Sequence, residues 1–215
     1  MPLLTKAAGR SMARHTDAQI MALAASSFNG GTAFAGTVDP YGSDWGTAFK
    51  TSISNQRVVI GSDGATIYNG TNAASLTDAA ILSVVLQLEN SDVDTSDLVW
   101  VLPPSAKRDI LNIDKFTLVN MSGDIGRMKG QFGELYGIPV VITNACPKVV
   151  DGASGHDRVG FLLSKEALYM AYQWDVRAQE SYLQQYLGTL YTMDNLYGLA
   201  VARDYAGIAI AIPNQ

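Results

Sequence analysis

One cysteine and two histidines in 215 residues leave little room for metal or thiol chemistry. Cys146 alone can neither close an internal disulfide nor form half of a Cys-x-x-Cys metal knuckle, so it reads as a small apolar residue in a reducing compartment. His15 and His156 match neither the His-x-x-x-His nor the His-Glu-x-x-His pattern of a zinc site. Charge is scarce as well, at 16% of residues where a soluble domain typically carries about 25%. No apolar run reaches the roughly 18 residues that cross a bilayer; the longest, near Ala79–Leu88, is broken by Ser83 and Gln87. The start, Met1-Pro2-Leu3-Leu4-Thr5-Lys6, lacks the charged opening and apolar stretch of a signal peptide. The sequons at Asn69 and Asn120 therefore carry no expectation of glycosylation.

What is present suits a folded core. Hydrophobic residues make up 47% and the 20 glycines follow no period, which excludes disorder and collagen-like repetition. The length allows one domain or two small ones. Net charge is −5, and the lysines and arginines are scattered, the densest groups being Lys6/Arg10/Arg14 and Lys107/Arg108. Sequence-specific nucleic-acid recognition normally needs a basic face and is not expected here.

Residues 5–27 are alanine-rich and free of proline, which predicts a helix of roughly 30 Å with Ala13, Ile20, Leu23 and Ala24 on its apolar side. Residues 28–55, punctuated by Asn29-Gly30-Gly31 and Asp39-Pro40-Tyr41-Gly42, read as loop. Arg57–Gly61 and Thr66–Tyr68 flank Ser62-Asp63-Gly64, a hairpin signal too small to stand alone. Ser75-Leu76-Thr77-Asp78 opens a helix to about Glu89, whose wide apolar surface implies contact on more than one side. Leu98–Leu102 reads as a central strand buried on both faces, followed by a short helix from Ser105 to Asn112 behind two prolines. Further strands are expected at 137–143 and 159–163, then a helix from Ser164 to about Tyr172, and a final strand at Ile208–Ile212 alternating large and small residues. Seven of the ten tyrosines fall between Tyr169 and Tyr205, a composition that fits either an interface or half-buried sheet.

Catalytic patterns are absent. The loop carrying Asp151, Ser154, His156 and Asp157 could be imagined as a hydrolase fragment, but no Gly-x-Ser-x-Gly elbow occurs. Asp92, Asp94 and Asp97 lack the glycine and closing glutamate of a calcium loop. Residues 42–51 miss the phosphate-loop pattern because Phe49 precedes Lys50. Gly123, Gly126, Gly130, Gly133 and Gly137 read as turns and close backbone approach leading into the strand at Ile138.

The order of phrases from Ser75 onward resembles the major capsid proteins of tailed bacteriophages, a shell fold shared with encapsulin nanocompartments. An apolar helix ends in Leu88-Glu89-Asn90-Ser91-Asp92-Val93, and a strand closes on Pro103. A short helix then leads through Ile110-Leu111 to Phe116. Gly123-Asp124-Ile125-Gly126-Arg127-Met128-Lys129-Gly130 matches the family's Gly-x-Ile-Gly-x-x-x-Gly segment. It feeds Gly137-Ile138-Pro139-Val140-Val141-Ile142-Thr143-Asn144-Ala145-Cys146-Pro147, and a Tyr197-Gly198 step precedes the terminal strands. Met12–Ile20, with Asp17, is similar to the start of the family's spine helix. The positions carrying the pattern are thus Asp17, Pro103, Gly126, Gly130, Gly137, Val140, Asn144, Pro147, Tyr197 and Gly198. The family usually has an arginine before the proline-ended strand, where Asp97 and Leu98 stand here.

The resemblance implies an α+β fold: the phage major-capsid fold, with a long spine helix and peripheral β elements plus an axial domain of central sheet flanked by helices. It implies a peripheral domain of residues 1–75 and 181–215 and an axial domain of 76–180. The expected function is a non-enzymatic subunit, without cofactor or metal, that self-assembles through pentamers and hexamers into an icosahedral shell enclosing phage double-stranded DNA. Portal, scaffold or cement proteins are the expected further partners, and no membrane is. The expected place is the virion, after assembly in the bacterial host's cytoplasm. An encapsulin-like compartment is the alternative within the fold, and a small α/β hydrolase the alternative from another class. The family places an arm and an extended loop ahead of the spine helix, so an abbreviated subunit is expected.

Overall fold

A computed structural model of the chain describes residues 2–27, 58–68, 72–113, 133–150, 156–203 and 205–214. The loop expected at 28–55, Phe116, and Gly126 and Gly130 of the glycine series lie outside these residues. The alanine-rich start forms α1 (Pro2–Ser27), about 39 Å long at ~1.5 Å per residue. Its last turns bury Ala22, Ala24 and Ala25, small side chains that let the helix end approach a sheet closely.

Among the described residues, seven strands make that sheet. β1 (Val58–Ile60), β2 (Leu98–Leu102), β3 (Glu134–Leu135), β4 (Ile138–Ile142), β5 (Lys148–Val150), β6 (His156–Ser164) and β9 (Gly207–Pro213) run in the order β1-β9-β6-β2-β4-β3, with β5 on β6. β1 pairs with β9 in parallel, as β2 does with β4; β6 is antiparallel to both β9 and β2. The expected central strand at 98–102 is therefore flanked on both sides.

The alternation in β9 sorts the core. Ile208, Ile210 and Ile212 face one side with Trp100, Leu98, Leu102 and the apolar stripes of two helices, α2 (Asp78–Glu89) and α3 (Pro104–Leu111). Ala209 and Ala211 face the other, where Ala24 and Ala25 of α1 meet Val58, Ile60, Val159 and Phe161. Large residues thus fill the space under two helices, and small ones admit the end of a third. Thr77 caps α2 by accepting a hydrogen bond at Oγ1 from the Ala80 amide at 3.2 Å, and Pro103 and Pro104 open α3.

The 58–68 hairpin is real but short, with one bridge between Val59 and Ile67. Asp63 holds its turn by accepting from the amides of Ala65 and Thr66 at 3.0 and 2.9 Å. These bonds hold the Asp63 carboxyl below its ordinary pKa, the bond from the Thr66 hydroxyl contributing most. The hairpin leans on its surroundings as its size requires: Gln87 Nε2 donates to the Gly64 carbonyl at 2.6 Å, and buried Tyr68 donates to Asp157 at 2.5 Å.

One expectation is corrected. Residues after Ser164 do not form a helix; after a turn at 165–167 they form β7 (Leu168–Leu183), which pairs antiparallel with β8 (Gly188–Val201) from Leu168↔Val201 to Leu183↔Gly188. Tyrosine, tryptophan and valine favour the strand, and pairing with a distant segment outweighs the local capping signal. The seven-stranded sheet draws strands from both sides of the boundaries expected at 75/76 and 180/181. β1 and β9, assigned there to the peripheral part, are hydrogen-bonded into the same sheet as β2, β4 and β6, while the 180/181 boundary falls inside β7.

Candidate assembly surface

β7 and β8 make a ribbon of their own, separate from the seven-stranded sheet. At about 3.4 Å per residue its longer strand extends some 50 Å. Two strands are marginal in water by themselves, yet both faces of β7 are exposed along nearly its whole length. Tyr169, Tyr172, Trp174, Val176, Tyr182 and Leu196 all stand open to solvent. At the tip, Tyr186 and Leu187 are 81% and 84% exposed, and Leu187 holds a left-handed conformation at φ 48°. Contiguous exposed apolar and aromatic surface of this extent marks a protein–protein contact.

Two features stiffen the ribbon at mid-length. Its register shifts between Tyr172 and Trp174 and again between Trp174 and Arg177, so the strands are irregular there. Across this stretch Arg177 grips Asp194 through Nε at 2.9 and 2.7 Å from the two carboxylate oxygens, with its terminal nitrogen 2.6 Å from Oδ2. The same guanidinium lies 4.5 Å from the ring centroid of Trp174. Hydrogen bonding within the pair lowers the Asp194 pKa and raises that of Arg177. At the ribbon's base, α1 packs on β8, where Tyr197 donates to Gln19 Oε1 at 3.5 Å.

The residues of the capsid pattern fall into two groups. Pro103, Asn144 and Pro147 gather at one end of β2 and β4, where the Thr143 amide donates to the Leu102 carbonyl at 3.0 Å, and Val140 sits mid-strand in β4 opposite Trp100. Arg158 of β6 fastens this end, donating to the carbonyls of Asn144 at 3.0 Å and Cys146 at 3.4 Å and to Asn214 at 3.1 Å. Gly137, at φ 78°, turns β3 into β4 beside Tyr136, which is also left-handed and donates to Asp78 at the start of α2. Burial and then Asp78 push the Tyr136 hydroxyl up to about 12. The second group is Tyr197 and Gly198 in β8, close to the stretch of α1 that carries exposed Asp17. The sequence reading missed Arg158, Arg177 and Asp194, which act through pairings distant in sequence; the tyrosine density of 169–205 was the one signal for the ribbon.

Chemically the described residues are quiet. Among them no three His, Cys, Asp or Glu side chains converge to hold a metal. Burial pushes the Cys146 thiol up to about 12, which makes it a packing residue rather than a nucleophile. Of the imagined hydrolase set, Asp157 is buried against the Tyr68 hydroxyl, and Asp151 and Ser154 lie outside the described residues. No helix among the described residues is long and apolar enough to cross a membrane.

No protein-family model matches the sequence, and no curated protein matches it. Solved structures do. A chain of Mycobacterium phage Che8 superposes with a TM-score of 0.62 at 18% identity, covering 98% of this chain and 62% of that one. A chain from the capsid structure of the cyanophage P-SCSP1u gives 0.66 at 17% identity, covering 100% of this chain and 66% of that one. A chain from the capsid of an empty GTA particle gives 0.55 at 13% identity, over 98% and 65%. This chain thus spans less than two thirds of the length of each. These matches take in nearly the whole of this chain, and its fold is that of a phage major capsid protein.

Proposed function

We propose that this protein is the structural subunit of a phage capsid, self-assembling into an icosahedral shell that encloses double-stranded DNA. The observation that carries the reading is the ribbon: a two-stranded element some 50 Å long, at ~3.4 Å per residue, exposing aromatic residues on a capsid-type fold. Such an element is best explained by burial against neighbouring copies. Repetition of one shape-complementary contact under symmetry needs no catalytic pocket, and none of the residue patterns argues for an enzyme.

In this reading the seven-stranded sheet with α2 and α3 is the axial module of pentamers and hexamers, and α1 with the β7–β8 ribbon is the peripheral module. Pro103, Asn144, Pro147 and Gly137 shape the loops of the axial module, while Asp17, Tyr197 and Gly198 belong to the helix–ribbon contact; Gly126 and Gly130 complete the sequence pattern. The site of action is the virion, after assembly in the host cytoplasm, with portal, scaffold or cement proteins as further partners.

Sedimentation and negative-stain electron microscopy of the purified protein test this. Rings, capsomers or closed shells are expected, with nuclease-protected DNA inside shells recovered from producing cells. A strictly monomeric species at high concentration overturns the reading.

A further inference from the structure

We propose that the row Lys6, Arg10 and Arg14 on α1 is the surface that meets the phosphate backbone of the enclosed DNA, so that this side of the helix points into the shell. The inference rests on the capsid reading above and adds to it an orientation and a contact surface.

All three side chains are exposed, and they recur every fourth residue. On a helix that spacing puts them about 6 Å apart along the axis in a single drifting row. Arg10 and Gln19 are about two and a half turns apart and so project from opposite sides. Gln19 is the residue that touches Tyr197 of β8, which sets the basic row on the side of α1 turned away from the ribbon. Residues 2–16 contain no aspartate or glutamate, so the row is unopposed within its own helix until Asp17.

Among the described residues four other cations are in ion pairs, Arg108 with Asp109, Lys165 with Asp97, Arg177 with Asp194 and Arg203 with Glu166, while Lys107 and Lys148 stand singly rather than in a row. Among the described residues, Lys6, Arg10 and Arg14 enter no ion pair. Among the described side chains next to the row, Ala7, Gly9, Ser11, Ala13 and Ala18 are small and Asp17 is acidic, so no large apolar anchor stands beside it there. A protein contact would be expected to have such an anchor at its centre. A DNA duplex instead offers a negative charge for about every 1.7 Å of its axis and needs only positive charge in return. A rigid row without base-reading side chains fits contact to any sequence.

The test compares the full-length chain with the Lys6→Gln/Arg10→Gln/Arg14→Gln variant, glutamine being chosen because it keeps helix propensity. Binding of unassembled subunits to a labelled random-sequence duplex is followed by fluorescence anisotropy between ~50 and ~200 mM salt. The variant is expected to bind at least ~10-fold more weakly at the low-salt end. Its log–log salt slope is expected to be shallower by about 2.5, near the loss of three phosphate contacts. Lys107→Gln, on α3, is the control expected to leave the slope unchanged. Wild-type protein that fails to bind the duplex at low salt, or a triple variant with wild-type affinity and slope, overturns the proposal. So does a variant that keeps DNA affinity but no longer assembles, which would assign the row to a neighbouring copy. Should the triple variant misfold by circular dichroism, Arg10→Gln and Arg14→Gln are read singly, each expected to lower the slope by about 0.9. Shell formation by the wild type is scored separately. Absent shells with a charge-dependent DNA contact defeat the capsid reading alone; intact shells with no such contact defeat this inference alone.

Discussion

A β-carbon on Gly64 would stand 2.5 Å from the carbonyl oxygen and 3.0 Å from the Cα of Ala80, both backbone atoms of α2, with φ already at +65°. Neither neighbour can rotate away, so alanine there must push the hairpin off the helix. Gly137 has a similar φ, +78°, but open space around it. Gly64→Ala is therefore expected to destabilise the protein by more than ~2 kcal/mol, and Gly137→Ala by only about 1, the cost of a left-handed alanine alone. Urea midpoints of the two variants measure the difference, and equal losses would show that the turn is not seated on α2. Both glycines were legible as turn residues. Their unequal roles were not, because the sequence does not state what faces an absent side chain. Arg158 was illegible for a related reason: the carbonyls it fastens belong to residues 144 and 146, in the turn between β4 and β5 and a whole strand before its own.

Elements with one buried side were readable from sequence, and the one with none was not. The cap at Thr77, the stripe of Ala80, Ile81, Val84 and Leu88, and the run Leu98–Leu102 lie within a residue or two of their expected places because burial imposes period on them. α2 nevertheless departs from its expected double contact: Leu82 and Leu86 are exposed. β7 has no inward face, so no in–out alternation marks it. Leu168, Ala171 and Tyr172 even fall at helical spacing, and only pairing with β8 decides the matter. The Arg177–Asp194 pair is itself half-exposed and should add little to the free subunit. Once a neighbour covers the ribbon, however, an unpaired guanidinium would be left away from water. Asp194→Asn is accordingly expected to move the thermal midpoint of the subunit by less than about 2 °C while reducing shell yield several-fold. Calorimetry beside a sedimentation assay separates the two, and a variant assembling as the wild type would remove the pair from the interface.

At the scale of the whole molecule, protection should be uneven in the subunit and even in the shell. The seven-stranded sheet is covered on both faces by apolar side chains, whereas the ribbon, among the described residues, packs chiefly on α1. Amide hydrogen exchange in 168–201 is expected to be fast in unassembled subunits and to slow by at least ~10-fold on assembly, while β6 and β9 are slow in both. Equal ribbon exchange in both forms would count against its burial between copies. In the proposed shell the few surface charges that first set this sequence apart have a physical use, since much of the nominal surface would be contact.

The position of β9 has a further consequence, for biosynthesis. Late in the chain, it nonetheless lies between β1 and β6, with Val58 opposite Ala209 and Phe161 opposite the same residue from the other side. No ribosome-bound fragment ending before residue 207 can form that interior pairing, so the sheet matures only after β9 has emerged. Closing contacts this distant makes folding slow relative to chains of local topology. Until it is complete, the isoleucines of β9 and the open edges of β1 and β6 are exposed together, which makes the nascent subunit a natural client for chaperones.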